Sequence, residues 1–379
     1  MRAITHWTRL TLLFGSLVCP LLAAEWGALG EVKELGRGIT PGVCVDASGL
    51  VHVVYMAGGD ILYVRGDASG SFVSPERVPS PENGARYNSP HLVCDSNGTV
   101  HLVFTRDFAA NGKKAWYTNR HGGKWKTPVV AIDHTGTERR VNYPRLAVNG
   151  TTVFVAAFAA RGSTLVKLCD VAAEPHVVAM AESPLWAAHP FVGEGELLVV
   201  GRYEARGHQL ERFSHALAPR GERLLLSRGT PTKTFEPTAA IIDKAGVIHV
   251  AGATQSPVQI LWYTTSERAA AGKDVILGPE LGTNIREDSF PIVAVDARRR
   301  VYFSYRHHGT GEGRVTVLKP DSGNFAAPIT FAPSITRRLR WNAPLAAAPG
   351  GGVYAVWDAE ERIYFRAIGE TAENEAGRD

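Results

Sequence analysis

The sequence lacks the marks of several common protein classes. No apolar pattern is sustained at helical spacing, which excludes a helical bundle or a coiled coil. There is no block of lysine and arginine and no basic tail; 41 Lys and Arg stand against 37 Asp and Glu in 379 residues. That near-balance gives no electrostatic footprint for nucleic acid, despite a pI of about 8.8. Cysteine is scarce, at four residues, and no two have metal-knuckle spacing. H-x-x-H and H-E-x-x-H are also missing, so no metal ligand set is expected. Beyond the N-terminus no apolar run approaches the roughly 18 residues of a membrane span. A charged fraction of 21% and a hydrophobic fraction of 45% exclude a disordered chain.

What is present begins with a leader. Arg2 and Arg9 precede a short apolar run, LTLLFGSLVCPLLAA, ending at Ala24. Residues 1–24 read as a signal peptide, and the mature chain is expected to be secreted or periplasmic. Its removal leaves 39 basic against 37 acidic residues, a net charge of +2. Cys44, Cys94 and Cys169 remain; the first two sit inside apolar runs and read as small buried thiols. Residues 369–379 carry Glu370, Glu373, Glu375 and Asp379 without apolar periodicity and read as a disordered acidic tail.

The strongest signal is an internal repeat. Seven copies of a unit with proline, apolar strand, turn and second apolar strand begin at Pro41, Pro90, Pro144, Pro190, Pro237, Pro291 and Pro344. Their spacing averages about 50 residues, the period of a propeller blade. Most turns are Asp-x-x-Gly or Asn-Gly, as at Asp46–Gly49 and Asn149–Gly150. A third strand follows each second strand, and a weaker fourth follows in most copies. The sequence therefore predicts an all-β, seven-bladed propeller of four-stranded antiparallel blades over residues 25–368, as one domain. The last copy has only three strands, so the segment Trp26 to Leu35 is expected to supply its fourth and close the ring.

Repetition separates scaffold from site. His52, His101, His249, Tyr302 and Tyr354 recur at one place in the second strand and read as packing groups. The turn aspartates recur likewise and are expected to bond their own turns. Antiparallel pairing puts the start of each first strand and the end of each second strand on one face, around the channel mouth. Arg86, Tyr87, Asn88, Arg140, Asn142, Tyr143, Glu236, Asp288, Arg340, Trp341 and Asn342 precede the prolines. Arg106, Arg202, Arg306 and Trp357 follow the second strands. This set suits a glycan: rings cover sugar C–H faces, and guanidinium pairs with carboxylate or sulfate. His189, Tyr203 and His307 are the candidate bases for proton abstraction beside a uronate carboxylate, with Arg202 or Arg306 as clamp. Hydrolysis would instead draw a carboxyl pair from Glu236, Asp288, Asp107 and Asp358.

The units DASGLVHVVY with ILYV, and SPHLVCDSNGTVHLVF with AWYTNRHGGKW, resemble the BNR-repeat, sialidase-like propellers over nearly all of residues 36–368. The chain is also similar to propeller-type polysaccharide lyases, the ulvan lyases among them. That resemblance implies a site of His, Tyr and Arg at the channel mouth, falling on His189, Tyr203, Arg202, Arg306 and His307. True sialidases differ: their F/Y-R-I-P motif and Asp-box have no counterpart here. Two readings stand open, an exported enzyme acting on an acidic polysaccharide and a non-catalytic glycan- or protein-binding scaffold. Neither needs a cofactor, and a structural calcium would leave no mark in the sequence. A monomer is expected.

Overall fold

The computed structural model describes residues 29–82, 85–106, 112–159, 162–169, 175–203, 207–227, 239–253, 259–282, 291–307, 309–318, 323–335, 344–348 and 350–369. The leader at 1–24 and the tail beyond Gly369 lie outside the described residues. The chain forms seven antiparallel sheets, each a blade of four strands, with one short extra strand, Lys124–Trp125, in the second. The innermost strands are Ile39–Val45, Tyr87–Cys94, Asn142–Asn149, Trp186–Gly193, Ala239–Ile242, Ile292–Val295 and Leu345–Ala347. One helical turn, Ser266–Ala270, interrupts the pattern in blade five. No helix among the described residues is long and apolar enough to cross a membrane.

Each blade is covered on both faces, which explains why its second strand reads as a continuous apolar run. Val53 and Val54 are adjacent in Val51–Ala57, point to opposite faces, and are both fully buried. Every hydrophobic cluster straddles two neighbouring blades. Val54 and Tyr63 of blade one pack with Leu102 and Trp116 of blade two, and Tyr354 and Phe365 of blade seven pack with Val53 and Tyr55 of blade one. The expected closure is present: Lys33–Arg37 pairs antiparallel with Arg362–Ile368, so the last blade contains both ends of the ring.

The recurrent histidines belong to the scaffold. The His52 imidazole joins the Tyr63 hydroxyl at 2.7 Å and the Asp46 carboxylate at 3.1 Å. His101 bridges Tyr117 and Asp95, and His249 bridges Tyr263 and Asp243, in the same way. In blade six Tyr302 replaces the histidine and donates directly to Asp296. Asp46 also accepts from the Ser48 and Leu50 amides, so one carboxylate ties the turn to the third strand. Burial pushes His52 and His249 below the ordinary imidazole range, although their aspartates pull the other way. For Asp46 and Asp243, burial raises the pKa, but their hydrogen bonds outweigh it and hold the carboxyls low.

The cysteine expectation is corrected. Cys44 and Cys94, on the inner strands of blades one and two, form a disulfide with Cα atoms 6.1 Å apart. The cause is register across the seam: the two strands pack side by side, which no sequence spacing reveals. Cys169 is a free, exposed thiol.

The histidine bridges and the disulfide each have a measurable consequence. A histidine neutral in the fold and free to protonate when unfolded costs stability as pH falls below its ordinary value near 6.5. The melting temperature should hold above pH 7 and fall between about pH 6.5 and 5, with the depressed aspartates adding to the loss only below about pH 4. The double variant His52→Gln, His249→Gln should lower the plateau and flatten that slope. Reducing the disulfide, which spans 50 residues, should cost up to about 4 kcal/mol by loop entropy. Denaturant melts with and without reductant would measure it.

Candidate functional site

The inner strands of blades one to four share a β-bulge. The register slips between Ile39 and Gly42, Asn88 and His91, Asn142 and Arg145, and Trp186 and His189. At its centre Thr40, Ser89, Tyr143 and Ala187 take φ between 49° and 55°, a left-handed conformation that non-glycine residues rarely hold. The Asn88 side chain supports its own bulge by accepting from the Ser89 amide at 2.7 Å. Bulges re-aim neighbouring side chains, and just beyond the bulges of blades two, three and four stand His91, Arg145 and His189.

The bulges also reset the alignment of the repeats. Aligning on proline sets His189 ahead of its strand, beside Ser89 and Tyr143. The pairing shows otherwise: Ala188 takes the place of Pro90 and Pro144, and His189 is level with His91 and Arg145. His91 pairs with Val103, Arg145 with Ala156 and His189 with Val200, each two residues beyond the recurrent second-strand position. Gly42, Ala239, Ile292 and Pro344 hold that level in the other four blades. Blade two comes so close at Gly42 that a Cβ would lie 2.9 Å from Leu92 Cδ2.

These seven residues line one cavity of about 530 Å³ at the centre of the ring. Among the described residues, its lining includes Arg145, His91 and His189 and no Asp or Glu. The rest is apolar, with the Cys44–Cys94 disulfide towards the far end. The Leu146 amide donates to His91 Nδ1 at 3.3 Å, which leaves Nε2 as the protonated nitrogen. Burial, with Arg145 and His189 beside it, pushes His91 well below the usual imidazole range, so it is neutral at neutral pH. Burial also drives Arg145 towards its neutral form. A guanidinium nonetheless keeps its proton inside proteins.

The other expected site residues divide three ways. Arg86 lies exposed across Gly59, Arg106 is ion-paired with Glu82 at 3.3 Å, Arg140 is exposed, and Asn142 and Tyr143 are half-buried at the bulge. These stand on the mouth face, as Tyr87 opposite Arg106 and Asn142 opposite Phe158 require. Others are turned elsewhere. Tyr203 lies under the Arg223 guanidinium, 4.9 Å from the ring centre, and lines a separate cavity of about 420 Å³ on the outer strands of blade four. Arg202 is buried opposite Trp186. Arg306 donates to the Ile335 carbonyl at 3.1 Å. His307 folds onto its own hairpin, where its Nδ1 faces the Thr310 amide at 3.3 Å and hydroxyl at 3.2 Å. Its pKa is lowered by burial and by Arg314, against Glu312. Tyr87 and Trp357 depart from expectation: both are 2% exposed, Tyr87 packed edge-on to Phe104 and Trp116 and Trp357 against Phe331, so neither presents a ring to a ligand. Glu236, Asp288, Arg340, Trp341 and Asn342 lie outside the described residues, as do Asp107 and His308.

His91 and Arg145 were missed because the strand after each proline reads as apolar. The signal was available: polar residues stand where the other copies have Gly, Ala, Ile or Pro. It becomes visible only with the bulge register in hand.

No family model matches the sequence, and no curated protein is detectably similar to it. Solved structures do share its fold. An ulvan lyase of polysaccharide lyase family PL25 superposes with a TM-score of 0.53 at 12% identity, covering 91% of this chain and 96% of that one. A second structure of that lyase, bound to a GlcA(1-4)Rha3S saccharide, gives 0.50 at the same identity and coverage. Kuenenia stuttgartiensis hydrazine synthase gives 0.57 at 10% identity, covering 89% and 97%. At such identities the likeness establishes the propeller fold, and the spread of activities shows that the fold leaves the chemistry open.

Proposed function

We propose that this chain is an exported, carbohydrate-active propeller that binds an acidic polysaccharide at the channel mouth and cleaves it by β-elimination. The observation that carries this reading is the shared level of Arg145 and His189 in a cavity whose described wall holds no carboxylate. Arg145 would neutralise the uronate carboxylate and so acidify the neighbouring C5 proton. His189 would accept that proton, and His91 would donate from Nε2 to the carboxylate. The C5–H electron pair forms the C4–C5 double bond, and the C4–O bond breaks with its pair on the leaving oxygen, which would take the proton that His189 has accepted. Hydrolysis by a carboxyl pair is less well served, since the described lining supplies neither partner. Arg86, Arg106 and Arg140 would hold further anionic groups of the chain. The BNR-like repeat pattern and the fold shared with an ulvan lyase support the reading.

The test is a panel of uronate polysaccharides, followed by absorbance of the unsaturated product near about 235 nm and by binding. Turnover is expected on at least one polymer, with His189→Ala slowing it by about 10²-fold or more while binding persists. Binding without turnover across the panel would make the protein a scaffold. Neither binding nor turnover would overturn the reading.

A further inference from the structure

Depth and charge together narrow what enters the cavity. A strand rises about 3.3 Å per residue, so a level two residues beyond the bulge centre lies roughly 6 to 7 Å along the strand from it, on the side away from the mouth. Arg145 is buried at that level, only 7% exposed. His91 is held at depth by the Leu146 amide. A carboxylate carbon stands only about 1.5 Å from the sugar ring that bears it. A chain lying flat across the mouth would therefore stop short of the guanidinium, and the ring itself has to descend. The channel admits that: its volume of about 530 Å³ is at the scale of a small-ligand pocket, not of a groove for an extended polymer. At the level of Arg145 the remaining positions around the ring are small or apolar, namely Gly42, Ala239, Ile292 and Pro344.

We propose that His91, Arg145 and His189 form an axial socket for the oxyanion of a single sugar unit, so that the protein recognises a chain end. The anion is a uronate carboxylate or a sulfate ester, which share the geometry that a guanidinium fork and an Nε2–H recognise. This rests on the reading of the protein as a binder of acidic polysaccharide, and it specifies which part of the polymer is read.

The experiment is titration calorimetry of the full chain with glucuronate, glucose 6-sulfate, glucose and a uronate polymer. One or both anionic monosaccharides should bind with one site per chain while glucose does not, and the stronger of the two identifies the source of the anion. Ala239→Asp, which sets a carboxylate at the same level, should weaken that binding at least about tenfold with the melting temperature kept. Arg145→Gln should do the same, and the Ala239 variant keeps the test sound if Arg145→Gln does not fold. Polymer binding without monosaccharide binding would overturn the socket and leave the polysaccharide reading intact. Monosaccharide binding unchanged in both variants would also overturn it. No binding of any anion would remove both.

Discussion

Everything in this molecule depends on ring closure. A propeller blade has no stable face of its own, because both faces of its second strand are apolar and must be covered by neighbours. Seven blades give seven seams only if the last meets the first, and that seam holds Val53, Tyr55, Tyr354 and Phe365. The closing strand, Lys33–Arg37, comes from the opposite end of the chain to its partner, Arg362–Ile368. Its hydrogen bonds commit both termini to one sheet, leave no terminal blade with a bare face, and create the central channel as a by-product.

The channel is then shaped by register. Antiparallel pairing fixes which residues share a depth, and the bulges in blades one to four set what that depth carries. In those blades the level beyond the bulge reads Gly, His, Arg, His; in the other three it reads Ala, Ile, Pro. The result is a lopsided ring, with Arg145 and two imidazoles on one side and apolar groups on the other. Arg145 is buried at that level, with His91 and His189 beside it in the same cavity lining. The recurrent histidines show the contrasting pattern, each fully engaged by an aspartate and a tyrosine of its own blade.

Much of this was legible in the sequence, and the reasons differ by level. The blade count, the strand order and the closing strand follow from a period of about 50 residues and from a final copy one strand short. The scaffold role of His52, His101 and His249 follows from recurrence alone. The disulfide did not, because Cys44 and Cys94 meet across a seam between blades and not along one. The site was only half legible. His189 was singled out for not recurring, but its depth was misjudged by two residues because Pro190 is not the repeat proline. Arg145 and His91 were hidden because the strand after each repeat proline reads as apolar, and Tyr87 and Trp357 were drawn to the mouth by position although packing turns them into the core.

An anion-binding level at Arg145, inside the ring, would be open to small anions as well as to sugar units. Bromide soaked into crystals of the protein tests it directly, because its anomalous signal marks anion sites without reference to any substrate. A bromide peak in contact with the Arg145 guanidinium and a neighbouring imidazole is the predicted result. Bromide found at surface arginines in the same crystal, with none at Arg145, would contradict the account.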